Sequence, residues 1–195
     1  MRDDEAHEVL GYWFSGTKEE RQTRWWGKSD EVDAAIREEF AVLMELARDG
    51  DLDDAIDDPW STLALVLLLD QMPRNAFRGT AAMYHADDRA RAVTREALAR
   101  SHDEHLDVDE RSFLVMPLMH AEETAAQDEL LAVIDRWASS ADEEDRARYA
   151  YFRGHAVAHG DIVRRFGRFP HRNEILDRKS SEEELAFLKE PGSSF

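Results

Sequence analysis

The chain contains no cysteine. Disulfides, thiolate metal sites and cysteine nucleophiles are therefore excluded, and the composition fits a cytoplasmic protein. Lysine is almost as scarce: Lys18, Lys28, Lys179 and Lys189 are the only four. Long apolar runs are missing too. The longest, Leu63 to Leu69, falls far short of the ~18 residues a membrane-spanning helix needs. The start, Met1-Arg2-Asp3-Asp4-Glu5, lacks the basic and apolar stretches of a secretory leader. Asn-Gly-type turns and sustained apolar–polar alternation are absent, which argues against β-hairpins and sheets.

Acid, by contrast, is abundant. Forty-three Asp and Glu stand against 25 Lys and Arg, a formal net charge of -18. Long-range repulsion then disfavours nucleic acid and anionic membrane as partners. The arginine-for-lysine bias and the acidity fit either a high-GC genome or a salt-rich cytoplasm.

At 195 residues the chain suits a single helical domain over 1–195, with no linker biased enough to divide it. Helical periodicity runs almost throughout. A first helix is expected over 4–14. A polar linker follows, and then a helix capped by Ser29 and ended by Gly50, with Val32, Ile36, Phe40, Leu43 and Ala47 on one face. Asp58-Pro59 starts the next helix, which is apolar nearly all round to Gln71 and so should be the buried central helix. Pro73 should stop it by pushing Met72 away from helical geometry. Further helices are expected over 87–100, from an Asp109 cap to the Pro117 interruption, over 127–138, over 142–166, and after the capping box Ser181-x-x-Glu184. Roughly eight or nine helices with short loops make an all-α stack or bundle. The tryptophans Trp13, Trp25, Trp26 and Trp60 are read as core.

Three polar clusters interrupt this pattern. The first follows the central helix: Asp70, Gln71, Arg74, Asn75 and Arg78. The second is His120, Glu122 and Gln127, after the apolar stretch Phe113 to Met119. The third combines His155, His159 and Asp161 with Arg165-Phe166-Gly167-Arg168-Phe169-Pro170-His171-Arg172-Asn173. Between Arg153 and Lys179 seven cationic residues face three acidic ones, a surplus of four in a chain that is otherwise strongly negative. Such a cationic island suits an anion site. His155 and His159 share a helical face at metal-ligand spacing, but no glutamate lies between them, so the reading is no metal and no cofactor.

The segments LLLDQMPRNAFRGT, HAEETAAQ and HGDIVRRFGRFPHRNEIL resemble the signature blocks of the bacterial family known as domain of unknown function 924. The similarity runs from about Val9 to the last helix. It implies a tetratricopeptide-like superhelical fold and no particular activity. By motif position it marks Asp70, Gln71, Arg74, Asn75, Arg78, His120, Glu122, Gln127, His159, Arg168, His171, Arg172 and Asn173 as the family's polar residues. Ala121 stands where the family usually shows serine, which argues against a serine nucleophile there. Asp177 stands where glycine is usual.

Three functional readings follow. In one, the clusters line a pocket for a small anionic molecule carrying phosphate or carboxylate. Arg74, Arg78, Arg168 and Arg172 grip its oxygens, and Gln71, Asn75, Gln127, His159 and Asn173 complete the binding set. His120 or His171 is the acid–base group, oriented by Glu122 or Asp70, for hydrolysis or isomerisation. Phe77, Phe169 and Trp26 are its apolar wall. In the second, a helical stack offers a concave surface to a protein partner. In the third, the polar residues fasten the helices to one another.

Overall fold

A computed structural model describes residues 1–194. No strand occurs among the described residues. The chain forms two compact units, Met1–Pro117 and Leu118–Phe195.

In the first unit, α1 (Asp3–Phe14), α2 (Lys18–Trp26) and α3 (Asp30–Asp49) precede α4 (Pro59–Val66). The α2 segment was expected to be a linker. Its apolar content is low, so periodicity misses it, but Thr17 and Glu20 form a capping box that nucleates it. Ser29 accepts a hydrogen bond from Val32 N–H, and Gly50 closes α3 at φ 93°, where a side chain would be strained. Asp58 caps α4 through Ser61 N–H, with Pro59 at the first helical position.

The central helix does not stop at Pro73. It passes through a π segment, Leu67–Gln71, into α5 (Met72–Ala76). Met72 keeps right-handed helical angles, and its N–H reaches back five residues to the Leu67 carbonyl. This wider turn absorbs a residue and accommodates the proline ring, overriding the local preference of the residue before proline. Every residue from Ser61 to Pro73 is buried, as the apolar pattern required. α1 packs on α4, α3 packs on α5 and the π segment, and α6 (Asp87–Ala99) packs on α4.

Trp13 is buried, but Trp26 and Trp60 are 59% and 45% exposed, so those two are not core residues. Trp26 lies stacked over Phe113, 5.8 Å between ring centroids. α7 (Val108–Met119) carries the chain out of the first unit with Pro117 inside it. Its start is capped by Asp107 rather than Asp109. Asp107 and Glu110 exchange backbone-to-carboxylate hydrogen bonds of 2.9 Å in both directions.

In the second unit, α8 (Thr124–Ser140) and α9 (Glu143–Phe166) form an antiparallel hairpin. Trp137 meets Tyr149, Asp135 pairs with Arg153, and Asp128 pairs with Arg164, in the order that hairpin register demands. Gly167, at φ 69°, ends α9. The chain then folds back so that buried Phe169 packs with Ile162 and Val163, with Phe166 and Phe187 beside them. α10 (Glu182–Phe187) closes the unit behind the Ser181–Glu184 capping box.

Candidate functional site

The first cluster belongs to the first unit, and the second and third belong to the second unit. The π segment sets Asp70 and Gln71 into the interior, at 0% and 5% exposure. Gln71 Nε2 donates to Asp70 Oδ2 at 2.5 Å. Arg74 Nη2 donates to Asp70 at 3.0 Å and to Asp87 at 2.9 Å, while Nη1 reaches the Met83 carbonyl. Arg78 makes a two-pronged contact with Asp33, 2.6 and 2.9 Å. Asn75 Nδ2 donates to the same carboxylate at 3.1 Å. The first unit therefore supplies its arginines with carboxylates of its own. Asp33 and Asp87 carried no sequence signal for this role, since both read as first-turn helix acids. Phe77 is only partly buried.

In the second unit Gln127 is fully buried. Its Nε2 donates to the carbonyls of Leu118, Met119 and Ala121 at 2.8–3.2 Å, capping the end of α7. Arg168 forms a double contact with Glu184, 2.6 and 2.8 Å. That contact holds the Glu184 carboxyl down to about 2, with the Ser181 and Asn173 hydrogen bonds adding to it against the cost of burial. Arg172 is buried, lies over the Phe169 ring, and donates to the His120 carbonyl at 3.0 Å.

Glu122 meets Arg178, a residue that sequence reasoning did not single out. Arg178 Nη1 and Nη2 grip its two oxygens at 2.5 and 2.9 Å, and Phe169 N–H donates to it at 2.7 Å. Burial opposes ionisation of Glu122. The Arg178 and Phe169 hydrogen bonds and the charges of Arg178 and Arg172 outweigh it, so the carboxyl lies below its ordinary range. Asn173 braces the same guanidinium by accepting from Arg178 Nε at 3.0 Å, and its own Nδ2 donates to Ser180 Oγ at 3.0 Å. Arg178 follows Asp177, whose φ of 51° produces a tight turn, and Arg178 N–H closes it onto the Asn173 carbonyl at 2.7 Å. The signal that could have found Arg178 was the unusual residue before it.

His159 is buried against Phe169, with its Nδ1 2.8 Å from the His155 carbonyl. Burial, chiefly, drives its pKa to about 3. The hydrogen bond at the His155 carbonyl opposes this, and the electrostatics of the neighbouring His120, His155 and His171 rings add to it. His120 and His171 are half-buried. Among the described residues, no group of three or more ligating side chains is placed to hold a metal ion.

A solvent-open depression of about 510 Å³ lies in this unit, lined by Pro170, His171, Glu174, Arg178, Ser180, Leu185 and Leu188. It combines a titratable imidazole, a fixed cation and a hydroxyl with an apolar wall. Ser180 already accepts from Asn173, which leaves its own O–H to donate. Four of the five Arg178 N–H groups are used, by Asn173, by Glu122 twice and by the Phe169 carbonyl. One remains on Nη1.

The fold and these polar networks define an all-α protein in which Arg74, Arg78, Arg168 and Arg178 are held by carboxylates. Residues 9–192 match the model of a bacterial protein family of unknown function, DUF924, and the chain belongs to that family. It is also similar to a solved structure, the protein of unknown function ATU0120 from Agrobacterium tumefaciens. The identity is 37%, with 94% of this chain and 96% of that one covered and a TM-score of 0.82. No curated protein matches the chain. No helix among the described residues is long and apolar enough to cross a membrane.

Proposed function

We propose that the second unit binds a small anionic molecule, best a monocarboxylate with a short apolar group, in the depression between His171 and Arg178. The observation that carries this reading is Arg178 itself. Its guanidinium is immobilised by Glu122, Asn173 and Phe169, yet keeps one unused donor on a wall shared with the Ser180 hydroxyl. A cation held in place beforehand binds an oxyanion without losing further side-chain freedom. Glu174 on the same wall repels a second negative charge, so a carboxylate fits better than a phosphate dianion. Pro170, Leu185 and Leu188 offer cover for an alkyl group.

His171 supplies acid–base capacity at that spot, and the reaction class it supports is proton transfer in hydrolysis or isomerisation. Glu122 and Asn173 act as positioning residues through Arg178. For Arg74, Arg78 and Arg168, pairing with Asp70 and Asp87, Asp33, and Glu184 favours the fastening role over ligand contact.

Thermal-shift titrations with short-chain carboxylates and with phosphate monoesters test the proposal. Carboxylates should raise the melting temperature of the wild type more than phosphate esters do. His171→Ala and Ser180→Ala should lose most of that shift while melting normally without ligand. The idea fails if no carboxylate shifts the wild type, or if both variants respond as the wild type does. Turnover that survives His171→Ala would remove the imidazole from the chemistry and leave binding alone.

A further inference from the structure

One face of α9 is exposed, and there Arg165 meets Glu183 and Phe187 of α10. The buried side of this helix, with Tyr149, Ala156 and Val163, is turned inward. On the opposite side Glu143, Ala147, Ala150, Gly154, Ala158 and Arg165 all fall within about 40° of the Gly154 direction at 100° per residue. Every one of them is exposed. Beside them Tyr151 is 74% exposed, the most exposed large aromatic among the described residues.

We propose that this face pairs antiparallel with the α9 of a second copy of this chain, with the two-fold axis at Gly154. The argument is charge and shape complementarity of the face with itself. A two-fold axis at 154 sets Glu143 opposite the partner's Arg165, and the partner's Glu143 opposite Arg165. Both ends of the contact are thus closed by ion pairs of opposite sign. It sets Ala150 opposite the partner's Ala158 and glycine opposite glycine, so the backbones can approach closely. Ala147 falls opposite the partner's Asp161, where a methyl leaves room for the carboxylate to turn to solvent.

The charges are available. Glu143 takes part in no ion pair among the described residues, and Arg165 lies over the Phe166 and Phe187 rings and gives Nε to Glu183 at 2.9 Å, which leaves the edge carrying its Nη groups for a partner carboxylate. A parallel arrangement would instead bring Glu143 against Glu143 and Arg165 against Arg165. An acidic partner helix would meet Glu143 at one end, and a basic one would meet Arg165 at the other. A second copy satisfies both ends.

The contact is about 33 Å long at 1.5 Å per residue, which is small beside the ~800 Å² per partner of a standard interface, so the dimer should be weak, in the micromolar range or above. At physiological ionic strength the Debye length of about 8 Å screens much of the repulsion between two acidic chains while leaving contact pairs in force.

Sedimentation equilibrium over a few to several hundred micromolar full-length protein tests this. The wild type should show a reversible monomer–dimer equilibrium. Gly154→Glu should weaken dimerisation at least tenfold. No atom lies within 4 Å of the Cβ it adds, and glutamate suits a helix better than glycine, so the monomer should melt no lower than the wild type. Glu143→Arg should weaken the dimer, and adding Arg165→Glu should restore it. A wild type that stays monomeric across the range overturns the proposal. So does a dimer that Gly154→Glu leaves intact, which would place the contact on another face. The α9 surface does not depend on the ligand reading, so either can fail alone.

Discussion

Asp177 is one of two non-glycine residues with positive φ among the described residues, at 51°, and it directs Arg178 back under Glu122. A Cβ in the left-handed region costs about 1–2 kcal/mol, and aspartate tolerates that region better than most residues. Asp177→Gly removes the strain but adds unfolded-state freedom worth about 0.5–1 kcal/mol. The net expectation is a gain of between about 0 and 1 kcal/mol in denaturant unfolding. Asp177→Val, branched at Cβ, should instead destabilise by more than about 1 kcal/mol. A stabilised valine variant would mean that the turn is not held as described. The family resemblance had already marked this position, because glycine is usual there, and the backbone angle supplies the reason. That departure was the only pointer to Arg178, one residue on, because its partner Glu122 lies 56 residues away.

At the scale of elements, ion pairs that join segments differ sharply in worth from those on a single surface. Asp33, in α3, is buried and receives Arg78 and Asn75 from α5 and the turn after it. Removing one partner of a buried pair costs about 3–5 kcal/mol. The Arg78 side chain is 34% exposed, so solvent takes up part of the loss, and Asp33→Ala should cost about 2–3 kcal/mol in urea unfolding. Asp128 pairs with Arg164 in the open, 62% exposed, and Asp128→Ala should change stability by under about 1 kcal/mol. Equal effects at the two sites would show that the Asp33 network does not tie α3 to α5. Most element boundaries were legible from caps and apolar spacing: Ser29, Gly50, Asp58, Gly167 and the Ser181 box act as local chemistry dictates. α2 was hidden because its stability comes from a capping box and from Trp25, whose indole N–H donates to the Trp13 carbonyl at 2.9 Å, not from an apolar stripe. The continuation past Pro73 was hidden because a π turn is a response to packing and leaves no periodic signature.

Across the whole molecule, acid should act through a few buried groups before it acts through the many exposed carboxylates. Folding keeps His159 neutral, with a pKa near 3 against 6.5 for the free side chain. Above pH 6.5 the group is neutral in both states and contributes no pH dependence. As pH falls below 6.5 the unfolded chain takes up a proton that the folded chain refuses, and stability drops by up to about 1.4 kcal/mol per pH unit. His102, also depressed by burial, adds the same sign. Glu184, held down to about 2, loses its contribution only below the ordinary carboxylate range, from about pH 4.5. Exposed carboxylates titrate in that lower window too, where their protonation relieves the self-repulsion of a chain carrying -18. Between pH 6.5 and 5 the histidines therefore act with little interference. Stability should fall in that interval, and His159→Gln should flatten the fall. A wild-type profile level down to pH 5 would show that His159 is not buried uncharged.

Sequence alone determined the helical class, the buried central helix, most helix ends and the family, because each rests on residues a few positions apart or on long, specific blocks. Which carboxylate meets which arginine was decided only by tertiary structure. Asp33 with Arg78, Glu122 with Arg178 and Arg168 with Glu184 are pairs made by packing, across 45, 56 and 16 residues. A guanidinium has the same charge and donors wherever it stands. Whether it holds a ligand or a neighbour depends on the carboxylate that folding brings within about 3 Å of it.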